Sequence, residues 1–240
     1  MSKERKVYTS FHDIPPREYM YFPKGSLDVA KPGSFSRLEV THILISMFVL
    51  TIAFAIALSD SSLLSGKFNL ENMPFYLFLS FLAISLGFFF HEMSHKFMAQ
   101  RLGLWAEYRM FPQGLLFALS LSVLTGFVFA APGAVMFRGS SNKYETSKIA
   151  MAGPLANIII ATVCVLVYFA FNSFFEVEPY GTIIGVVCYI NAFLAIFNLL
   201  PFGPLDGTKI IRGNATAWII MLVVSISLLM IIITEIPIVL

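Results

Sequence analysis

Charge is scarce in this sequence: Asp, Glu, Lys and Arg make up only 12% of its 240 residues, against 58% hydrophobic residues. An ordinary soluble domain carries about a quarter charged residues, so the composition excludes that class and describes a multispanning membrane protein. Cysteine is scarcer still. Cys164 and Cys188 both sit inside apolar runs, where a lone thiol behaves as a small hydrophobe. They offer neither a disulfide framework nor a cysteine zinc pair. No clustered run of Lys and Arg forms a patch for nucleic acid, so no nucleic-acid partner is expected. Histidine occurs only at His12, His42, His91 and His95, which makes the close spacing of the last two informative.

Long apolar runs are abundant. Five are long enough, or nearly so, to cross a hydrocarbon core that needs about 20 helical residues: Val40 to Leu58, Phe75 to Arg101, Ser147 to Phe171, Gly181 to Leu200 and Ala215 to Ile233. Residues 1–38 are polar and too long a lead for a typical cleaved signal peptide. They read as a polar N-terminal segment before a single transmembrane domain over residues 39–240. The predicted fold is an all-α membrane protein, a polytopic bundle of five or six transmembrane segments.

A sixth apolar run, Gly114 to Phe137, decides the topology. If it does not cross, fifteen of the sixteen Lys and Arg fall on one side and only Lys67 on the other; if it crosses, the split becomes ten against six. The positive-inside rule prefers the first arrangement, with the N-terminus and the basic side cytoplasmic. The run is therefore expected to dip in and return, partly as a β-hairpin, which is tolerable only where protein or a wet cavity surrounds it.

The second span ends in chemistry. Sixteen almost wholly apolar residues, Phe75 to Phe90, lead into His91-Glu92-Met93-Ser94-His95. In a helix this H-E-x-x-H pattern sets two imidazoles one turn apart on one face, able to hold Zn²⁺, with a glutamate beside them as base. The plain alternative, three side chains hydrogen-bonding within a bundle, is disfavoured by the cost of ionisable groups inside a span. A zinc peptidase site needs a third protein ligand. His12 and His42 are candidates, each read more readily as an interfacial or capping histidine. Asp206 is the stronger one. It follows a span broken by Pro201 and Pro204, whereas Glu107 and Glu145 sit in charged, loop-like stretches. Taken alone, Asp206-Gly207 is also a common turn dipeptide. Taken with the histidines, Asp206 reaches the same membrane side if one crossing separates the two spans, as the charge count requires. The intervening helix starts with "AGPLAN", whose Gly153 and Asn157 read first as a close-packing pair.

These residues resemble the site-2 protease family of intramembrane zinc metalloproteases. The likeness rests on "HEMSH", "AGPLAN" and "NLLPFGPLDG", all within a catalytic core of about residues 75–212. It implies that His91, His95 and Asp206 ligate one zinc ion and that Glu92 activates water. It further implies that Asn198 contacts the substrate backbone or stabilises the oxyanion; a bond across helices would explain Asn198 equally well. By the same resemblance the chain sits in a cell membrane and cuts transmembrane segments of membrane-anchored proteins near the cytoplasmic face, where a helix unwinds locally. "FAAPGAVMF" is then expected to be a strand that pairs with extended substrate. A metal transporter or sensor using the same ligands is the alternative, against which the apolar outer halves of the spans argue.

Overall fold

The computed structural model describes residues 33–66, 71–129, 132–139, 141–172 and 180–236. Most of the polar leader, with His12, lies outside the described residues, as does Lys67.

Helix α1 (Arg37–Leu58) starts at Ser36, whose Oγ accepts from the Glu39 N–H at 3.1 Å, the usual N-cap bond. Its 22 residues rise about 33 Å, enough to cross a bilayer core. The second run is one continuous helical rod over Met73–Arg101, built from α2 (Met73–Ile84), a π turn at Ser85–Phe89 and α3 (Phe90–Arg101). Such widened turns are rare and favour functional sites, and this one immediately precedes His91. Gly103, at φ 79°, ends the rod in the left-handed conformation that glycine adopts without penalty. Helices α5 (Lys143–Asn172), α6 (Tyr180–Leu199) and α8 (Ala215–Glu235) complete five that are long and apolar enough to span a membrane. Their boundaries fall within four residues of those expected. Their outward faces carry exposed Phe48, Phe78, Leu166 and Ile220. Cys164 and Cys188 are free and packed among hydrophobic side chains, as expected.

The sixth run folds differently from a simple hairpin. Strand β1 (Trp105–Met110) precedes helix α4 (Pro112–Thr125), and β2 (Gly133–Arg138) follows it. The two strands pair antiparallel, from Trp105 opposite Arg138 to Met110 opposite Gly133. The strand partner thus lies upstream of Gly114, and half of the expected loop is helical. Pro112 suits a first helical turn, where no N–H is needed, and Gly126 closes the helix at φ 74°. The excursion is deep: the Leu63 and Leu64 N–H groups, in the turn after α1, bond to the Val123 and Leu124 carbonyls at the far tip of α4. It also returns, because the Phe111 N–H bonds to the Pro132 carbonyl at 2.8 Å. "FAAPGAVMF" is a strand from Gly133 onward; Ala130 and Ala131 lie outside the described residues.

Helix α1 covers the outer edge of β1. The Tyr108 N–H donates to Glu39 Oε1 at 2.9 Å, the Met110 N–H to His42 Nδ1 at 3.4 Å, and the Tyr108 hydroxyl pairs with Ser46 Oγ at 2.9 Å. These three residues share one helix face. Glu107, expected in a charged loop, instead lies on β1, fully buried, paired with Arg109 and accepting from Ser36 Oγ. The misreading is physical: strand burial hides a carboxylate whose sequence neighbours are charged.

Candidate metal centre

Helix α3 presents His91 and His95 to α5. The Nδ1 atom of His91 lies 2.6 Å from Asn157 Oδ1. The direction of that bond follows from Asn157 itself, whose Nδ2 donates to the Gly87 carbonyl at 3.1 Å and to Asn191 Oδ1 at 3.0 Å. Asn191 in turn donates to the Val187 carbonyl at 2.9 Å. With both amides turned this way, Asn157 Oδ1 accepts, so His91 carries its hydrogen on Nδ1. His95 Nδ1 lies 2.7 Å from the Ile149 carbonyl, which can only accept. Pro154, one turn on, lacks the N–H that would serve the neighbouring Ala150 carbonyl, loosening the helix there.

Both Nε2 atoms are therefore bare. They stand 3.0 Å apart and cannot hydrogen-bond each other as neutral rings. Into the same point projects Asp206 Oδ2, 3.0 Å from His95 Nε2 and 3.4 Å from His91 Nε2. Asp206 opens helix α7 (Asp206–Gly213), and its other oxygen accepts from Lys209 Nζ at 3.1 Å. The turn reading of Asp206-Gly207 is thereby replaced by a helix start. One oxygen and two imidazole nitrogens, all buried and within 4.8 Å of one another, form the metal-ligating group found among the described residues. Three lone pairs aimed at one point repel unless a cation joins them, and two histidines with a carboxylate suit zinc. His42, the other described candidate, is spent on β1.

Close approach makes the site possible. A Cβ on Gly153 would lie 2.2 Å from His95 Nε2 and 2.7 Å from His91 Nε2, so only glycine leaves room for both rings. "AGPLAN" reads in sequence as packing alone; its Asn157 is also the group that orients His91.

Glu92 shares a cavity of about 130 Å³ with the triad. Val135 of β2 lines the same cavity beside it. Glu92 Oε2 is buried and has no hydrogen-bond partner among the described residues. Residues 132–135, at the start of β2, and Asn198 of α6 also line the cavity. The Asn198 amide donates to the Leu194 carbonyl of its own helix at 3.0 Å.

Residues 79–182 match the model of peptidase family M50. The chain is also 35% identical over 189 residues to the Methanocaldococcus jannaschii protein named "Putative zinc metalloprotease MJ0611", covering 78% of this chain and 90% of that one. The chain belongs to peptidase family M50, the site-2 proteases. A second relative of the same organism, "Zinc metalloprotease MJ0392", is 24% identical over 176 residues, which is 73% of this chain and 43% of that one. This chain thus aligns with less than half of that longer relative. No solved structure matches it. Family and geometry agree on the metal: this M50 peptidase is a zinc metalloprotease.

Proposed function

We propose that this M50 peptidase is an intramembrane endopeptidase that hydrolyses peptide bonds in the transmembrane segments of membrane-anchored proteins. The observation that carries this reading is the convergence of two bare Nε2 atoms and Asp206 Oδ2 beside the unpartnered Glu92 Oε2. Five of the described helices are long and apolar enough to cross a membrane, with exposed Phe48, Phe78, Leu166 and Ile220 on their outward faces, which supports a multi-pass bundle in a cell membrane. The positive-inside rule puts its N-terminus, and the end of α3 that bears the site, on the cytoplasmic side.

His91, His95 and Asp206 hold the ion. Zinc bound there supplies Lewis acidity, polarising the scissile carbonyl and easing loss of a proton from the attacking water. Glu92 Oε2 takes that proton and returns it to the leaving nitrogen as the C–N bond breaks and the new C–O bond remains. Asn198, which lines the same cavity, contributes an amide to hold the substrate backbone or the developing oxyanion.

The substrate enters as an extended strand. Pairing in the β1–β2 ladder leaves alternate residues of β2 with their backbone groups facing outward, and the Val135 N–H, opposite Tyr108, is one of these. Strand addition on that edge brings a substrate backbone alongside Glu92. A substrate helix must unwind first, which favours segments weakened by Gly or Asn.

The test is paired: zinc content of the detergent-purified protein and cleavage of a membrane-anchored substrate, for wild type and Glu92→Gln. About one zinc in both, with cleavage only by wild type and a loss of about 10²-fold or more in the variant, is expected for a general base. Zinc in both with cleavage in neither favours the metal-binding alternative and overturns the proposal.

A further inference from the structure

Lys96 follows the ligand His95 and lies one turn beyond Glu92 on α3, yet its side chain is 0% exposed. Three groups account for its ammonium. Nζ donates to Glu39 Oε2 at 2.5 Å and to the Ser34 carbonyl at 2.9 Å, and it lies 3.8 Å from the centre of the Phe35 ring. Glu39 is equally buried. Ser36 and Glu39 have the spacing of a capping box, in which the glutamate returns to the start of its own helix. Here both of its oxygens are directed elsewhere: Oε2 to Lys96, and Oε1 to the Tyr108 N–H of β1.

Those bonds link α3 to β1 through Glu39. Tyr108 and Val135 face each other across the β1–β2 ladder. Each has its N–H turned away from the other strand, as in a non-hydrogen-bonded antiparallel pair. The Tyr108 N–H is held by Glu39, and Val135 lines the cavity that holds Glu92 and the metal-ligating cluster. Glu39 is tied through Lys96 to the same α3 face that carries Glu92. The cross-strand pair that supplies part of the cavity wall is therefore held to the metal-site helix through Glu39 and Lys96.

A buried ion pair is a weak stabilising device, since apolar residues of similar volume often serve as well. What it does supply is fixed geometry. We propose that Glu39 and Lys96 are positioning residues that set the register between β2 and the metal site, and so select which substrate peptide bond meets Glu92. This rests on the strand-addition reading above. Neither residue touches substrate; both act through Tyr108 and the sheet.

The test compares wild type with Glu39→Leu/Lys96→Met and with Glu39→Gln/Lys96→Met. Both partners are replaced together because a lone buried charge would threaten the fold. Three quantities are read: zinc content, the masses of the cleavage products, and hydrogen exchange over residues 105–110 and 133–138. The leucine variant should keep its zinc and expose both strands to faster exchange. Its products should shift or spread by one or two residues, with kcat/KM at least tenfold lower. The glutamine variant retains an acceptor for the Tyr108 N–H and should restore strand protection and the original product. A zinc-loaded leucine variant with wild-type strand protection and the same single product would overturn the proposal. If wild type binds zinc and cuts nothing, the proteolytic reading fails instead, and the exchange data still decide whether the ion pair holds the sheet.

Discussion

The Nε2 atoms of His91 and His95 stand 3.0 Å apart with no hydrogen between them, because each ring has given its hydrogen to an acceptor on α5, Asn157 Oδ1 or the Ile149 carbonyl. The tautomers are thus set by the second layer of the site rather than by the ligands themselves. Replacing Asn157 by Leu removes the acceptor and should weaken zinc binding about 10- to 100-fold, the range for outer-layer partners of metal histidines. Asn157→Asp keeps an acceptor for His91 but loses the donors to Gly87 and Asn191, and should fall between wild type and Leu. Competition titration with a zinc chelator measures both.

Asp206 supplies the third of the three atoms that converge in the cluster. Its Oδ2 meets both imidazoles while Oδ1 stays with Lys209. Asp206→Ala should lose stoichiometric zinc, measured by elemental analysis after gel filtration, because two histidines alone leave too few protein ligands. Full zinc retention would remove Asp206 from the ligand set.

Gly153 separates metal binding from folding. Alanine is the better helix former by about 1 kcal/mol, which offsets part of the overpacking cost of about 1–3 kcal/mol, so Gly153→Ala should keep its helix content with thermal stability unchanged or modestly lowered. Its Cβ would nonetheless occupy the space of both Nε2 atoms. Zinc binding and proteolysis should therefore both be lost, with circular dichroism as the control.

Sequence patterns made the spans and the His91, Glu92 and His95 cluster legible for a physical reason. A membrane helix must be apolar and about 20 residues long, so any polar group in it stands out. Asp206 was reachable because topology restricts which ends can meet. Glu39, Lys96 and Glu107 were not. Each lies beside residues that belong at an interface, and its burial comes from partners 57 to 71 positions away. Nor was β1 legible: Trp105 to Met110 mixes two charges with apolar residues, and it becomes a strand because α1 covers one edge and β2 the other. The helical half of the Gly114 to Phe137 run was obscured because a 14-residue apolar helix and a buried strand share one apolar signature.

Gly133 tests whether β2 serves the substrate rather than the metal. A Cβ there would lie 2.3 Å from the Arg109 carbonyl and 2.4 Å from the Tyr108 hydroxyl. Gly133→Val must push the strands apart while leaving His91, His95 and Asp206 untouched. Zinc content should remain near one per chain while KM for a membrane-anchored substrate rises severalfold or more. An unchanged KM would argue that substrate binds elsewhere.

The path of α4 fixes which way the second half of the chain faces. Its 14 residues rise about 21 Å, short of the 30 Å hydrocarbon core. The strands on either side of it are paired, so residues 110 and 133 lie on the same side of any membrane the bundle crosses. A reporter fused after Asn142 should therefore share the side of one fused just before α1, and a reporter after Ser65 should lie opposite. With fifteen of the sixteen basic residues on the first side, that side should be cytoplasmic. An external reading after Asn142 would require α4 and the return segment to cross as one span. That would pull β2 away from β1 and Val135 away from the cavity it shares with Glu92, dismantling the wall that the proposed strand addition needs.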